Sequence, residues 1–275
     1  MGATFLTVDL GNSAIKLRAW SLDSAEVLAC CARLDVASNT QNSTALAQFF
    51  AGNPALELAA MSSVANLETT AIWSERIGTS THAKLFQDLA AGLSNRTREP
   101  ERVGPDRLFA ARGALEWIGE SAVVVEVGTA LKVDALLAEP ASAVAAGWRR
   151  GAFLGGAIAP GPRLLARALA QGAARLYEVE PQPDPPALGR DTSEALRAGI
   201  GVGLRGAARE LALEVARAAG LENPPIVLSG GARAFVASAF SERRVFESEH
   251  LVHFGLCAAL LEADGRARPA IFIAR

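Results

Sequence analysis

Short apolar runs alternate along the chain with segments of helical spacing, and this alternation predicts an α/β protein. Strands are predicted over 4–9, 14–20, 27–34, 56–64, 122–138 (a strand–turn–strand unit) and 226–228, and helices over 43–51, 66–77, 106–119, 161–172, 191–219 and 250–263. In the helix predicted over 106–119, Leu108, Ala111, Leu115 and Ile118 share one face. Because strands come before helices in each half, the pattern is typical of mixed sheets with flanking helices.

The strand–turn–strand pattern that opens the chain begins again at 122. This restart predicts a domain boundary near 120, with domains 1–119 and 120–275. The polar stretch 92–105 is predicted to be a loop, and the proline-rich stretch 181–186 a stiff exposed loop. Both halves therefore carry their own strands and helices.

The two predicted hairpins share a glycine turn, entered from an apolar strand through an acid. The turns read Asp9-Leu10-Gly11-Asn12-Ser13, with Lys16 downstream, and Glu126-Val127-Gly128-Thr129-Ala130, with Lys132 downstream. A glycine turn with backbone N–H groups and a hydroxyl at its tip is suited to cradle a phosphate. The acid at the strand end can hold a cation beside it. Each turn alone could be an ordinary β-turn, but the near-copy favours a pair of phosphate cradles facing each other across a cleft.

A second candidate site is the sequence Gly104-Pro105-Asp106-Arg107 at a loop-to-helix junction. Asp106 is either a general base or the N-cap of the helix, since aspartate is a preferred N-cap residue. Arg107 is a candidate clamp for an anionic substrate.

Three further segments have a functional and a structural interpretation. The small residues of 155–161 either let a ligand or partner approach the backbone closely or pack a strand against a helix. Ser229-Gly230-Gly231, after a buried strand, is either an adenosine site at a helix N-terminus or a simple strand-to-helix turn. Thr192 is expected to be an N-cap, and Ser43 or Thr44 to cap the first helix.

Composition narrows the class of function. The chain has 275 residues, a formal net charge of -2 and a pI of about 6.0, so we expect no nucleic-acid partner. No signal peptide or membrane-spanning stretch is evident, and the three cysteines lack metal-type spacing. A cytoplasmic protein with reduced thiols is the expectation. His82, His250 and His253 are assigned no chemistry.

Taken in order, these pieces resemble the type III pantothenate kinase family, within the actin, sugar-kinase and Hsp70-like ATPase superfamily. The resemblance runs over nearly the whole chain and rests on the following segments: 9–16, 62–64, 104–107, 128–134, 155–161, 189–199 and 229–231. It implies two ribonuclease H-like (actin-like ATPase) domains, each a mixed sheet with flanking helices, around a central nucleotide cleft.

The resemblance also implies roles for single residues. Asp106 would deprotonate the hydroxyl of pantothenate, and Glu126 would bind a monovalent cation, K⁺ or NH₄⁺. Mg²⁺ would travel with ATP, and the protein would be a homodimer with its pantothenate pocket at the subunit interface. The pantothenate site would be lined by Gly104, Pro105, Asp106, Arg107 and Thr192. ATP would be held by Asp9, Gly11, Asn12, Ser13, Lys16, Gly128, Thr129, Gly230 and Gly231.

The second hairpin departs from the family pattern, which usually has Asp at the position of Glu126 and Thr-Thr at Leu131-Lys132. Strand alternation places Leu131 and Lys132 on opposite faces without saying which face meets the cleft. A lysine in the cleft would replace the cation's charge or would mark a site no longer suited to ATP. Three hypotheses follow: an active pantothenate kinase, a non-catalytic ligand-binding regulator similar to Bvg accessory factors, and another small-molecule kinase of the superfamily.

Overall fold

The computed structural model describes residues 4–21, 31–35, 41–53, 56–140 and 147–269. The strands are β1 (Thr4–Leu10), β2 (Ala14–Ser21), β3 (Cys31–Asp35), β4 (Leu56–Ser63), β5 (Lys84–Phe86), β6 (Ser94–Asn95), β7 (Ala122–Val127), β8 (Ala130–Ala138), β9 (Gly151–Pro160), β10 (Ile226–Ser229) and β11 (Val245–Glu247). The helices are α1 (Gln41–Ala51), α2 (Leu67–Ser80), α3 (Pro105–Ile118), α4 (Pro162–Gly172), α5 (Thr192–Ala218) and α6 (Leu251–Ala263).

These strands form two mixed sheets with the same topology. The first has the order β3-β2-β1-β4-β5, and the second contains β9-β8-β7-β10-β11 with β6 added beyond β9. In both, a central antiparallel hairpin has an antiparallel strand on one side and two parallel strands on the other. The turn repeated in the sequence therefore marks a repeated sheet.

Helices pack on both sheets because their apolar residues match buried strand faces. Helix α5 covers one face of the second sheet, where Leu204 and Ala208 pack against Val125 and Val133. Helices α3 and α6 pack closely together, since Gly113 and Gly255 bring the two backbones into contact. Helix α6 also contacts β1 and β4, so it joins the C-terminal part of the chain to the first sheet.

Most predicted elements are confirmed, with corrections at their ends. Helix α1 begins at Gln41, so Ser43 and Thr44 lie inside it and do not cap it. The predicted loop 92–105 contains β6, which pairs with β9, and a 3₁₀ turn over Pro100–Arg102. The first part of the strand predicted over 27–34 lies outside the described residues. The boundary near 120 stays a prediction.

Candidate active site

The tips of the two hairpins meet. Ser13 Oγ, from the first sheet, lies 3.2 Å from Thr129 Oγ1, from the second. Both residues and Asn12 are exposed, while the strands that lead to them are buried. Strands β1, β4, β7 and β10 all end at this place, and the carboxyl ends of parallel strands are where open α/β sheets bind ligands. The two turns thus share one crevice.

The turn glycines use their own amides to close the turns. Gly11 N donates to Ala14 O and Gly128 N donates to Ala130 O, each at 2.9 Å. These two N–H groups are therefore not the phosphate donors expected from the sequence. What the tips present is the exposed backbone around them and the polar side chains of Asn12, Ser13 and Thr129.

Each hairpin places a lysine directly across from the acid at the strand end. Asp9 pairs in register with Lys16, and Glu126 pairs in register with Lys132. Lys16 Nζ lies 2.9 Å from Asp9 Oδ2, and its side chain is 39% exposed. An exposed ammonium beside the first tip is well placed to meet a phosphate.

Lys132 is more enclosed and bridges two carboxylates. Its Nζ donates to Asp106 Oδ2 at 2.8 Å. The same Nζ forms an ion pair with Glu126 Oε1 at 2.8 Å. The neighbouring Leu131 points the other way, into the core beneath α5. Of the two faces of β8, it is therefore the Lys132 face that meets the site.

These contacts shift the pKa values of the enclosed groups. Burial raises the pKa of the Glu126 carboxyl above its ordinary value, although the Lys132 charge opposes this. Burial alone would lower the pKa of Lys132, but Glu126 and Asp106 outweigh it and raise that pKa well above the usual value. Lys132 is therefore a permanent cation near neutral pH.

Asp106 lies at the second position of α3, after Pro105. The N-cap is Gly104, so the expectation that Asp106 caps the helix is wrong. Its Oδ1 accepts from the Arg107 amide at 2.9 Å, and the same N–H also donates to Gly104 O at 3.1 Å. Gly104 lies against Val64, which follows β4, so the helix start lies next to the strand ends. A carboxylate at a helix N-terminus is stabilised by the helix dipole.

Arg107 is held by Asp134 on β8. Its Nε donates to Asp134 Oδ2 at 3.1 Å, and a second nitrogen donates to Oδ1. Burial raises the pKa of Asp134, while Arg107 opposes the rise. The Arg107 guanidinium also lies over the ring of Phe153, 5.3 Å from its centroid. The sequence did not reveal this pairing, because nothing local links the two residues.

A basic cleft of about 610 Å³ opens beside Arg107 and is bounded on another side by Gly155 and Gly156. Three more arginines line it: Arg96, Arg98 and Arg102. Sequence reasoning missed these three, although their dense spacing in a polar segment was a visible signal. Such a cleft suits a carboxylate or another anion.

The glycines at 230 and 231 lie beside the second hairpin. Gly230 has φ +92°, and a Cβ there would lie 2.2 Å from Val127 O, so only glycine fits. After them the chain forms the short 3₁₀ turns Arg233–Phe235 and Ala237–Phe240, not the helix that the adenosine interpretation expected. The backbone at Gly230 is nonetheless in contact with the strand that leads to Thr129.

Thr192 is exposed at the first position of α5. The cap of that helix is Asp191, whose side chain accepts from Glu194 N at 2.8 Å, so Thr192 is not the N-cap. Helix α5 packs on β7, β8 and β9 rather than on α3. Thr192 thus begins an element that belongs to the second sheet.

Across the described ranges, no helix has the length and apolar character needed to span a bilayer. In the same part of the chain, no three histidine, cysteine or acidic side chains converge as metal ligands would.

Comparison with known proteins gives a consistent family. The family model described as type III pantothenate kinase matches residues 5–214. A type III pantothenate kinase of Thermomicrobium roseum is 36% identical over 168 residues, which cover 61% of this chain and 60% of the relative. One of Halorhodospira halophila is 38% identical over 173 residues, covering 60% and 61%. The matched region thus spans about three fifths of the length of these relatives.

Solved structures confirm the fold class. An activator of 2-hydroxyisocaproyl-CoA dehydratase from Clostridium difficile, with bound ADPNP, superposes with a TM-score of 0.53 at 12% identity and covers 94% of each chain. A putative 2-dehydro-3-deoxygalactonokinase from Sinorhizobium meliloti gives 0.52 at 15% identity, over 94% of this chain and 99% of that one. The chain therefore has the two-sheet fold of the actin-like ATPases and sugar kinases.

Proposed function

The chain belongs to the type III pantothenate kinase family, and on that basis we propose that it transfers the γ-phosphoryl group of ATP to the hydroxyl of pantothenate. The product is 4′-phosphopantothenate, and the reaction is the first step of coenzyme A biosynthesis. One observation carries the proposal: Ser13 and Thr129 meet at 3.2 Å, and the hairpin that bears Thr129 holds Asp106 through Lys132. Phosphate-binding turns and a carboxylate base are thereby joined in one site.

ATP would be bound between the hairpin tips, with Lys16 beside its phosphates. The polar side chains at the tips and the Lys16 ammonium fit an anionic ligand. Asp9, beside Lys16, is the carboxylate closest in sequence to the first tip and would face the Mg²⁺ that accompanies ATP. Bound Mg²⁺ neutralises charge on the phosphates, which is the main requirement of phosphoryl transfer. The nucleoside would lie next to Gly230 and Gly231, beside the strand that leads to Thr129.

Asp106 would accept the proton of the pantothenate hydroxyl as that oxygen attacks phosphorus. Its side chain is 20% exposed, so a hydroxyl can approach it, while the contacts with Lys132 and the Arg107 amide fix its orientation. A base oriented in this way favours a single attack geometry.

The carboxylate of pantothenate would lie in the basic cleft, next to Gly104 and Pro105. Arg107 lines that cleft but already donates to Asp134, so it would contribute charge and one edge of its guanidinium rather than a complete fork. Arg96 and Arg98 add positive charge to the cleft, and Arg102 also lines it, paired with Glu99. We infer that these four arginines attract the acid end of the substrate.

The homodimer is also a proposal. Among the residues that the structure describes, six of the eight exposed large apolar side chains lie between residues 158 and 213, including Ile158 (61% exposed) and Leu188 (77%). A contiguous exposed apolar patch is typical of an interface, and we propose that these side chains contribute to one. In such a dimer the exposed Thr192 would reach the pocket of the partner subunit. Cytoplasmic location stays a prediction, and the buried, unpaired Cys257 agrees with it.

The decisive experiment measures ADP release that depends on pantothenate, in the wild type and in Asp106→Asn, with Asp88→Asn as an exposed surface control. We expect Asp106→Asn to lower kcat by about 10²- to 10⁴-fold, because a positioned base is lost. The control should retain wild-type turnover. Normal turnover in folded Asp106→Asn would refute the assigned base, and phosphorylation of a sugar instead of pantothenate would refute the substrate.

Lys132 also favours a second candidate, a ligand-binding relative without kinase activity. Its ammonium neutralises Asp106, the residue that would otherwise accept the proton. Wild-type protein that binds pantothenate yet produces no ADP at any K⁺ concentration would select this alternative.

A further inference from the structure

The position that Lys132 takes is the place where a monovalent cation would be expected beside Glu126. The Lys132 Nζ is 2.8 Å from Glu126 Oε1 and 2.8 Å from Asp106 Oδ2. Its side chain is 18% exposed and that of Glu126 is 9% exposed, so both charges lie largely out of water. Lys132 approaches from the strand next to Glu126, directly across the ladder, and this register fixes the contact.

A K⁺ ion does not fit beside these residues. The nearest carboxylate oxygen of Glu126 already has the Lys132 ammonium at contact distance. A second cation within reach of that oxygen would lie next to the ammonium, and like charges in an enclosed site repel strongly. A monovalent metal ion therefore takes no part in the reaction proposed for this protein.

The charges of the site show what Lys132 supplies. Three carboxylates (Asp106, Glu126 and Asp134) face two cations (Lys132 and Arg107), which gives a formal sum of -1 when all are ionised. With a neutral side chain at position 132 the sum becomes -2, beside a hairpin tip that is to receive phosphates. One bound K⁺ would return it to -1. The ammonium and the metal ion are thus electrostatically equivalent here.

We propose that the Lys132 ammonium permanently replaces a monovalent metal ion, so that this protein binds Mg·ATP and turns over independently of K⁺. The inference rests on the proposed function for the identity of the nucleotide. It concerns the electrostatic requirement of the second hairpin, whichever acceptor receives the phosphoryl group.

The first hairpin provides a matched control. Lys16 stands across from Asp9 as Lys132 stands across from Glu126. Lys16 pairs with Asp9 at 2.9 Å, but its side chain is 39% exposed, so its ammonium can turn towards a phosphate. A threonine at Lys16 removes a direct phosphate contact, whereas a threonine at Lys132 removes a counterion that K⁺ can replace.

The test measures the affinity of the protein for the Mg²⁺ complex of a non-hydrolysable, fluorescent ATP analogue. In parallel, it measures ADP release that depends on pantothenate. Wild type, Lys132→Thr and Lys16→Thr are compared in KCl and in choline chloride at equal ionic strength. We expect wild-type values to agree within about twofold between the salts, since its cation is covalently attached. Lys132→Thr should bind at least about tenfold more weakly in choline and recover in KCl. Lys16→Thr should be weak in both.

Direct binding of an ion gives a second readout. Tl⁺, a heavy substitute for K⁺, should bind to Lys132→Thr and appear beside Glu126 in a crystal, and it should be absent from that place in the wild type. KCl should also raise the Tm of Lys132→Thr and leave the wild-type Tm unchanged.

Three results with the wild type would overturn the inference: a nucleotide affinity that rises with K⁺, Tl⁺ bound beside Glu126, or no nucleotide binding in either salt. A folded Lys132→Thr protein whose nucleotide binding K⁺ does not restore would also overturn it. If Lys132→Thr fails to fold, the wild-type arms decide alone. Nucleotide binding without K⁺ but no ADP release with pantothenate would leave the inference standing and refute the kinase assignment, so the two failures are distinguishable.

Discussion

Replacing Asp134 by asparagine removes one charge from an enclosed ion pair while preserving its shape. The Asp134 side chain is 3% exposed and that of Arg107 is 14% exposed, so water can compensate the remaining guanidinium only in part. Asparagine can still accept one hydrogen bond from Arg107 Nε, now 3.1 Å from Asp134 Oδ2. What is lost is the charge–charge interaction.

The size of the loss follows from the geometry. Two unit charges 3.1 Å apart attract by about 5 kcal/mol at an effective dielectric constant of about 20. Breaking a buried pair by removing one partner typically costs about 3–5 kcal/mol. Because Asp106 and Glu126 also attract Arg107, we expect the lower end, a loss of about 3 kcal/mol in the free energy of unfolding. That corresponds to a Tm lower by roughly 6–12 °C.

The assay is urea unfolding followed by circular dichroism, with two comparison variants. Asp184→Asn breaks an exposed pair, since Asp184 is 93% exposed and 3.4 Å from Arg205, and should change stability by less than about 1 kcal/mol. Asp134→Asn combined with Arg107→Met removes both buried charges and should regain most of the loss. An Asp134→Asn protein as stable as the wild type would refute the reasoning.

The single variant Arg107→Met adds a dependence on pH with a defined sign. Burial raises the pKa of Asp134, and without Arg107 only the more distant charge of Lys132 opposes the rise. A carboxyl whose folded pKa is raised stabilises the fold below its unfolded pKa, and this stability is lost as pH rises through the folded value. Arg107→Met should therefore be closest to the wild type in acid and lose stability towards neutral pH. A constant difference across that range would contradict the account.

Two further predictions concern packing and assembly. Gly113→Ala should lower the free energy of unfolding by about 1–3 kcal/mol, because its Cβ would lie 2.0 Å from Leu251 O. The control Gly78→Ala, whose Cβ would have nothing within 4 Å, should be neutral or stabilising. Equal urea midpoints for the two variants would contradict the packing argument. Ile158→Glu should convert a dimer to a monomer in light scattering, because a charge would enter the apolar interface. The control Ile72→Glu, outside the proposed interface, should leave the dimer intact. A wild-type protein that is already monomeric would refute the interface.

The sequence by itself determined the repeated hairpins and the class of fold. Short apolar runs that enter the turns at Gly11 and Gly128 specify strand–turn–strand units, because a strand buried on both faces is read as a continuous apolar run. The long helix over 191–219 was also predictable, since its caps and apolar spacing are local. The ordered motifs identified the family that the family model confirms.

Local sequence rules for helix starts failed at two places in the site. Aspartate is a preferred N-cap residue, yet Pro105 occupies the first helical position, so Gly104 is the N-cap and Asp106 lies inside the helix. The glycines at 230 and 231 were expected to start a helix. Instead, the Ala232 amide donates to Val127 O, and the chain then forms 3₁₀ turns. In the second case a contact with a distant strand outweighs local propensity.

Only the tertiary structure decided the chemistry of the second hairpin. Alternation placed Leu131 and Lys132 on opposite faces, but the choice of face depends on α5, which lies more than sixty residues later and covers the Leu131 side. The pairings of Lys132 with Asp106 and of Arg107 with Asp134 join residues 26 and 27 positions apart. A sequence pattern records which side chains share a face, whereas the partner of each charge is set by the packing of whole sheets and helices, which brings remote residues within a few ångströms.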